Sequence, residues 1–138
     1  MIVRYMLDTN LCIQVIRRPQ SATAERFKQH IGAMCVSTIT LHELHHGSEK
    51  SARPAFQRQL TDQLVSGLEV LEFDGAAAEH SGEIHATLAK AGQIIGAYDM
   101  LIAGHARSRG LTVVTNNLRE FLRVEGLRCE DWLTEEAP

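Results

Sequence analysis

Four carboxylates in this chain of 138 residues stand where acids could act together. Asp8 directly follows a short apolar run, and Glu43 falls in the first predicted turn of a helix after the second apolar run. Asp99 begins another predicted helix, and Glu120 comes five residues after a β-branched run that ends at Thr115. Ligands of an α/β sheet bind beyond the carboxyl ends of its strands, so acids in these places can meet at one edge.

A cluster of four carboxylates has a definite chemical consequence. Without a Lys or Arg between them the acids would repel one another strongly, unless hard cations lay among them. Magnesium and manganese ions accept carboxylate oxygens and water as ligands. The spacing of the acids therefore favours a Mg²⁺ or Mn²⁺ site.

Each acid also has a purely structural interpretation. Asp8 suits the N-cap of the helix that follows it, and Thr40-x-x-Glu43 has the form of a capping box. Asp99 in a first helical turn suits the helix dipole, and Glu120 alone would be an ordinary solvated charge. The functional interpretation is favoured because all four acids follow predicted strands.

A second pattern, His42-Glu43-x-x-His46, matches the zinc-protease signature in which two histidines hold zinc and the glutamate is the base. The histidines are one helical turn apart and could share a face. Glu69 or His80 could supply the third ligand, although nothing in their setting singles either out. A zinc metalloprotease is therefore the alternative to the acid site, and Glu43 belongs to both.

The elements that must position these residues alternate along the chain. Apolar residues at steps of four predict a helix over 54–68, and β-branching predicts a strand over 111–115. The predicted strands are 2–7, 33–37, 69–73, 111–115 and 127–129, and the predicted helices are 9–18, 21–31, 40–50, 54–68, 76–91, 98–109 and 117–123. This alternation predicts an α/β fold with a mostly parallel sheet covered by helices on both faces, in a strand order that the pattern does not reveal.

Size and composition are those of one ordinary globular domain, predicted to span residues 1–138. The chain is 44% hydrophobic and 22% charged, enough to bury a single core. No apolar run approaches the length of a membrane span and no secretory signal is visible. The scattered Cys12, Cys35 and Cys129 form no C-x-x-C pair, which favours buried small hydrophobic residues in a reducing cytoplasm over a disulfide scaffold. The net charge of −3 gives no overall attraction to nucleic acid, which would require a basic patch or bound metal cations.

Five segments in succession resemble the PIN domains of VapC-type toxins, from Met1 to about Trp132. They are Met6-Leu-Asp8-Thr-Asn10, Ser37-Thr-Ile-Thr-Leu-His-Glu43-Leu, Ile95-Gly-Ala-Tyr-Asp99-Met-Leu-Ile-Ala, Val113-Val-Thr-Asn-Asn-Leu-Arg-Glu120-Phe and Arg123-Val-Glu-Gly-Leu-Arg-Cys-Glu-Asp-Trp132. Any one segment is weakly diagnostic, whereas all five in order are specific. The resemblance implies a PIN-like α/β/α sandwich and a metal-dependent endoribonuclease that acts as the toxin of a type II toxin–antitoxin system.

The resemblance also implies the roles of individual residues. The acidic catalytic site would consist of Asp8, Glu43, Asp99 and Glu120, with Asp8 and Asp99 as direct ligands of Mg²⁺, or of Mn²⁺ in its place. The supporting residues, which would orient the acids, water or phosphate, would be Asn10, Thr115 and Asn117. Two departures are visible, since relatives commonly have Pro at Ala97 and other PIN branches place an acid near Asn116-Asn117.

The implied partners are an RNA substrate, with structured RNA such as tRNA expected, and a VapB-like antitoxin whose tail enters the active site. A homodimer and a higher assembly with the antitoxin are expected. The two alternatives to a ribonuclease are the zinc metalloprotease and a non-catalytic PIN-like interaction module.

Overall fold

The computed structural model describes residues 2–132, and the predicted alternation of strands and helices is present throughout them. The strands are β1 (Tyr5–Leu7), β2 (Met34–Ser37), β3 (Glu69–Leu71), β4 (Thr112–Val114) and β5 (Arg128–Glu130). The helices are α1 (Thr9–Arg17), α2 (Ala22–Gln29), α3 (Thr38–Glu49), α4 (Pro54–Val65), α5 (Gly75–Lys90), α6 (Ala97–Arg109) and α7 (Leu118–Phe121). The predicted domain of residues 1–138 also includes Met1 and 133–138, which lie outside the described residues.

The five strands form one sheet in the order β3-β2-β1-β4-β5, and all four neighbouring pairs are parallel. The chain builds the sheet outward from β1 in one direction as far as β3, and then crosses back to add β4 and β5 on the other side. The strand order therefore reverses between β1 and β4, which is the position where open α/β sheets bind ligands.

Side chains of the central strands alternate between two hydrophobic cores. Met6 packs into the core formed with α5, α6 and α7, whereas Leu7 packs into the core formed with α1 to α4. Val113 and Val114 divide between the same two cores on the neighbouring strand. Helices thus cover both faces of the sheet, and the predicted α/β/α sandwich is confirmed.

Helix α3 begins earlier than the sequence suggested. Its N-cap is Ser37, whose hydroxyl accepts a hydrogen bond from the Ile39 N–H, and the helix follows β2 with no intervening loop. The predicted capping box between Thr40 and Glu43 is therefore wrong, and Glu43 lies in the second turn. Thr40 is fully buried instead of capping the helix.

Two further expectations concern cysteines and membranes. Cys12 and Cys35 are buried free thiols and Cys129 is partly buried, as expected for small apolar residues outside any disulfide scaffold. Across residues 2–132, every helix is too short or too polar to cross a bilayer.

Candidate active site

Asp8 lies at the reversal of strand order. Its N–H donates to the carbonyl of Val114 (3.0 Å), which fixes it between β1 and β4. As the N-cap of α1 it accepts a hydrogen bond on Oδ1 from the Leu11 N–H (2.9 Å), while Oδ2 accepts one from the Thr115 hydroxyl (2.5 Å). The side chain is almost fully buried, so capping and a fixed orientation within the site are compatible roles of one carboxylate.

Thr115 and Asn117 connect Asp8 to Glu120. The buried Thr115 hydroxyl accepts the Asn117 N–H (2.7 Å), and the Asn117 side-chain amide donates to Glu120 Oε2. The other Glu120 oxygen accepts the N–H of Gly96 (3.0 Å), and this bond, followed by the one from Asn117, lowers the pKa of Glu120. Glu120 is thus held in its ionised form beside the loop that enters α6.

Asp99 occupies the first turn of α6 and folds back over Gly96. A methyl group added at Gly96 would lie 3.3 Å from Asp99 Oδ2, so a side chain there would crowd the carboxylate. Burial first, and then the charges of Glu120 and Glu43, together raise the pKa of Asp99 to about 6. Asp99 is therefore within electrostatic reach of both of these acids.

Glu43 is held by a residue that the sequence analysis did not single out. The Thr9 hydroxyl donates to Glu43 Oε1 at 2.5 Å and lies 3.3 Å from the hydroxyl of Thr40. Asn10, which was predicted as a supporting residue, is exposed and shows no hydrogen bond to the acids within the described residues. Helical spacing could have identified Thr9 in the sequence. Thr9 lies four residues before Ile13 and therefore on the same face of α1 as Ile13 and Ile16, which line the cleft beside Glu43.

Electrostatic interactions connect the four acids to one another. Burial is the main cause that raises the pKa of Asp8 to about 7, and the charges of Asp99 and Glu43 add to it. Within residues 2–132, no Lys or Arg lies within ion-pair distance of any of the four acids. The charge of Arg123 contributes to lowering the pKa of Glu120. No described cation lowers the pKa of Asp8 or Asp99 in this way.

The zinc-protease pattern is not assembled in the structure. His42 and His46 are both exposed, with ring centroids 6.4 Å apart. Of the third ligands considered, Glu69 is exposed on an edge strand and His80 accepts a hydrogen bond from Arg107 (2.9 Å). Within the described residues, no three His, Cys, Asp or Glu side chains form a ready-made metal site.

The absence of a ready-made three-ligand site within residues 2–132 also limits how the four acids could hold a metal ion. The donors at the site are carboxylate and hydroxyl oxygens, the ligand chemistry that Mg²⁺ prefers. Because no three of the acids already surround one position, an ion here would take one or two carboxylates and keep water on its other sides. That is the usual manner in which proteins bind Mg²⁺, so the donor set fits it.

Comparison with known proteins gives one consistent family. A PIN domain model matches residues 5–127. The tRNA(fMet)-specific endonuclease VapC of Shigella flexneri is 51% identical over 130 residues, which are 94% of this chain and 98% of that protein. Ribonuclease VapC2 of Haemophilus influenzae is 47% identical over 131 residues, or 95% of this chain and 99% of the relative.

Solved structures agree with the sequence comparison. A chain of DNA-bound VapBC from Salmonella typhimurium superposes with a TM-score of 0.91 at 50% identity, covering 95% of this chain and 99% of that one. A chain of VapBC2 from Rickettsia felis, bound to a DNA fragment from its promoter, gives a TM-score of 0.88 at 34% identity, covering 96% and 99%.

Proposed function

This chain belongs to the PIN-domain family of VapC ribonucleases, and on that premise we propose that it cleaves RNA with Mg²⁺, or Mn²⁺ in its place, held by its four acids. It is an endoribonuclease and the toxin of a type II toxin–antitoxin pair. The observation that supports the metal requirement is the pair Asp8 and Asp99, whose pKa values are raised and which have no ion-pair partner within residues 2–132. A cation would relieve the cost of ionising both.

Asp8 and Asp99 are the proposed direct ligands. Each Asp8 oxygen accepts one hydrogen bond from the chain, which leaves a lone pair on each for a cation. Asp99 is half-buried and shows no hydrogen bond from another described side chain, so its oxygens are available. Glu43 and Glu120 are both held by hydrogen bonds and would act through bound water.

The reaction is attack of water on the phosphorus of an RNA phosphodiester, which breaks one P–O bond and leaves a phosphate monoester and a hydroxyl group. A bound Mg²⁺ would acidify the attacking water and offset charge on the phosphate oxygens. Glu43 Oε2 accepts no hydrogen bond within the described residues, so it is the free acceptor for the proton of that water. Thr9 holds the carboxylate for this role by its bond to Oε1.

Structured RNA such as tRNA is the proposed substrate class. The warrant is the relative from Shigella flexneri, which is named for cleavage of tRNA(fMet) and is 51% identical over nearly the whole chain. Among the basic side chains, the exposed Arg17 lines an open cleft of about 260 Å³ that reaches Glu43. Arg58 is less available, because it pairs with Glu49 (2.6 Å).

A VapB-like antitoxin is the partner, since structures of VapBC complexes match this chain over nearly its full length. We also propose a homodimer and a larger assembly with the antitoxin. The acid cluster gives such an antitoxin a simple mode of inhibition, in which a basic side chain takes the place of the metal charge.

Metal dependence and the Asp99→Asn variant test the proposal together. Purified protein should cleave tRNA with Mg²⁺ or Mn²⁺, and cleavage should stop in EDTA. Asp99→Asn should lower the rate by at least about 100-fold, because a metal ligand contributes several kcal/mol to the transition state. The matched control is Asp62→Asn, which makes the same chemical change at an exposed site on α4 and should retain the full rate.

Other outcomes would identify the alternatives. Full activity of Asp99→Asn would overturn the site assignment. Stoichiometric zinc that is lost on His42→Ala would favour the protease. A protein that binds antitoxin but cleaves no RNA under any metal condition would be an interaction module.

A further inference from the structure

The two histidines of the zinc-like pattern lie at the rim of the acid site, where they meet an exposed tyrosine. His42 Nε2 and the Tyr98 hydroxyl share a hydrogen bond of 3.2 Å, and their rings are 5.6 Å apart with 47° between the planes. His46 extends the row one turn along α3, at 6.4 Å and 31° from His42. We call these three exposed side chains, Tyr98, His42 and His46, the aromatic rim.

The position of the aromatic rim follows from the two helices that carry the acids. His42 directly precedes Glu43 on α3, and Tyr98 directly precedes Asp99 on α6. The hydrogen bond between His42 and Tyr98 joins α3 to α6, the same two helices across which the charge of Glu43 acts on Asp99. Tyr98 remains 44% exposed despite this bond, so the side chain is accessible to a ligand.

We infer that the aromatic rim binds an unpaired RNA base next to the phosphate that the acids cleave. This inference rests on the ribonuclease function proposed above and adds the part of the substrate that is recognised. Aromatic rings bind unstacked bases through their faces, and this contact occurs in loops and single strands but not in a closed duplex. The proposed substrate is therefore cut in a single-stranded segment, such as the loop of a hairpin.

The negative charge of the site makes stacking of a base on an uncharged ring a suitable source of affinity for RNA. The acids repel the phosphates of the RNA, and within residues 2–132 no Lys or Arg lies within ion-pair distance of them. A base held against Tyr98 and His42 gains affinity without adding a cation that would compete with the metal. The spacing of His42 and His46, which matches the zinc-protease pattern, would then serve to place both rings on one face of α3 for base binding.

Base binding can be measured without cleavage. The probe is a short single-stranded oligoribonucleotide that contains 2-aminopurine, titrated with protein in EDTA, so that stacking appears as loss of fluorescence. We expect the wild-type protein to quench the probe, and Tyr98→Leu to weaken binding by about 5- to 100-fold. Tyr98→Phe, which keeps the ring and removes only the hydroxyl, should stay within about threefold of the wild type.

Variants on the other helix separate base binding from a local effect on Asp99. His42→Leu should weaken binding in the same direction as Tyr98→Leu. The control His45→Ala removes an exposed histidine of α3 that shows no ring contact within residues 2–132, and it should leave binding unchanged. In Mg²⁺, cleavage of a hairpin RNA by Tyr98→Leu should show a higher KM with kcat retained. Melting followed by circular dichroism verifies that each variant is folded.

Results that contradict base binding by the aromatic rim differ from those that contradict the ribonuclease function. Equal affinity of wild type, Tyr98→Leu and His42→Leu for the probe, in folded proteins that still cleave RNA, would overturn the aromatic rim and leave the ribonuclease function intact. Loss of kcat without a change in affinity would also overturn it, because it would show that Tyr98 only positions Asp99. A wild-type protein that quenches the probe but never cleaves RNA would contradict the ribonuclease instead.

Discussion

Asp8 is a buried carboxylate whose ionisation opposes folding when no cation is bound. Its pKa is about 7 in the folded protein against 3.8 for a free side chain, mainly because of burial. As pH rises from about 4 to about 7, the unfolded chain loses this proton before the folded chain does, so stability falls across that window and is constant above it. A shift of this size corresponds to about 4 kcal/mol.

Asp8→Asn tests this directly, because asparagine resembles the protonated acid. In EDTA the variant should match the wild type near pH 4 and be more stable by up to about 4 kcal/mol at pH 8, although RNA cleavage is abolished. The measurement is urea unfolding of both proteins across pH. Taking the difference between them removes the contribution of His105, whose pKa is lowered by burial. A difference that does not grow with pH would contradict the burial of an uncompensated charge.

Thr9 is the residue through which α1 holds the carboxylate of Glu43. Thr9→Val keeps the side-chain shape and removes the hydroxyl that donates to Oε1, so Glu43 loses its fixed orientation. We expect kcat for RNA cleavage to fall by about 10- to 100-fold, the usual effect of removing a partner that orients a metal ligand or base. Thr9→Ser restores the donor and should recover most of the rate, whereas an equal loss in both variants would assign Thr9 to packing.

The close contact between α5 and α6 is the element-level feature that fixes Asp99. A methyl group added at Gly104 of α6 would lie 2.6 Å from the backbone and Cβ of Ser81 on α5, a distance that forces one helix to move. Gly104→Ala should therefore destabilise the protein by about 1–3 kcal/mol through overpacking, even though alanine favours helices. It should also reduce cleavage, because α6 carries Asp99.

Gly82 on α5 gives the matched control for this substitution. It is exposed, and nothing lies within 4 Å of an added methyl group, so Gly82→Ala should stabilise by up to about 1 kcal/mol. Thermal unfolding of the two variants measures the difference. If both substitutions had the same sign, helix propensity rather than packing would determine the effect at Gly104.

The elements themselves were largely predictable, and their starts and order were not. Helical stripes and β-branched runs are local signals, so every predicted strand and helix has a counterpart in the structure. The start of α3 was missed because Ser37 ends β2 and caps the helix at once, while Thr40 three residues on offered an equally good local signal. Strand order depends on packing between distant segments, which periodicity does not record.

The same limit applies to the site. Asp8, Glu43 and Glu120 follow strands as expected, whereas Asp99 follows the loop after α5, so the expectation that all four acids follow strands is wrong for Asp99. The bond from Thr115 to Asp8 joins residues 107 positions apart. Thr9 and Asn10 are neighbours that point in different directions from a helix, and only the packing of α1 against α3 decides that Thr9 meets Glu43. The resemblance indicated Asn10 by its position in the sequence. In the structure, the orientation of α1 gives the hydrogen bond to Glu43 to Thr9.

At the scale of the whole molecule, the proposed metal and the proposed inhibitory contact of the antitoxin would share one negatively charged edge. Segments from both halves of the chain bring their acids to this edge. A Mg²⁺ ion and an Arg or Lys side chain of the antitoxin would neutralise the same carboxylates. If both bind there, each must weaken the binding of the other, because two ligands that exclude one another are linked through their shared site.

Titration of the antitoxin against the toxin at rising Mg²⁺ measures this competition, with ionic strength held constant by K⁺. At a Mg²⁺ concentration ten times its own dissociation constant, the affinity of the wild-type toxin for antitoxin should fall by about 10-fold. Asp8→Asn should bind the antitoxin more weakly in EDTA and respond less to Mg²⁺, because one of the shared charges is gone. Asp62→Asn also removes one negative charge, but at an exposed position on α4, so it should behave as the wild type. If all three proteins bind the antitoxin equally and Mg²⁺ has no effect, the antitoxin inhibits through another surface and leaves the acids free.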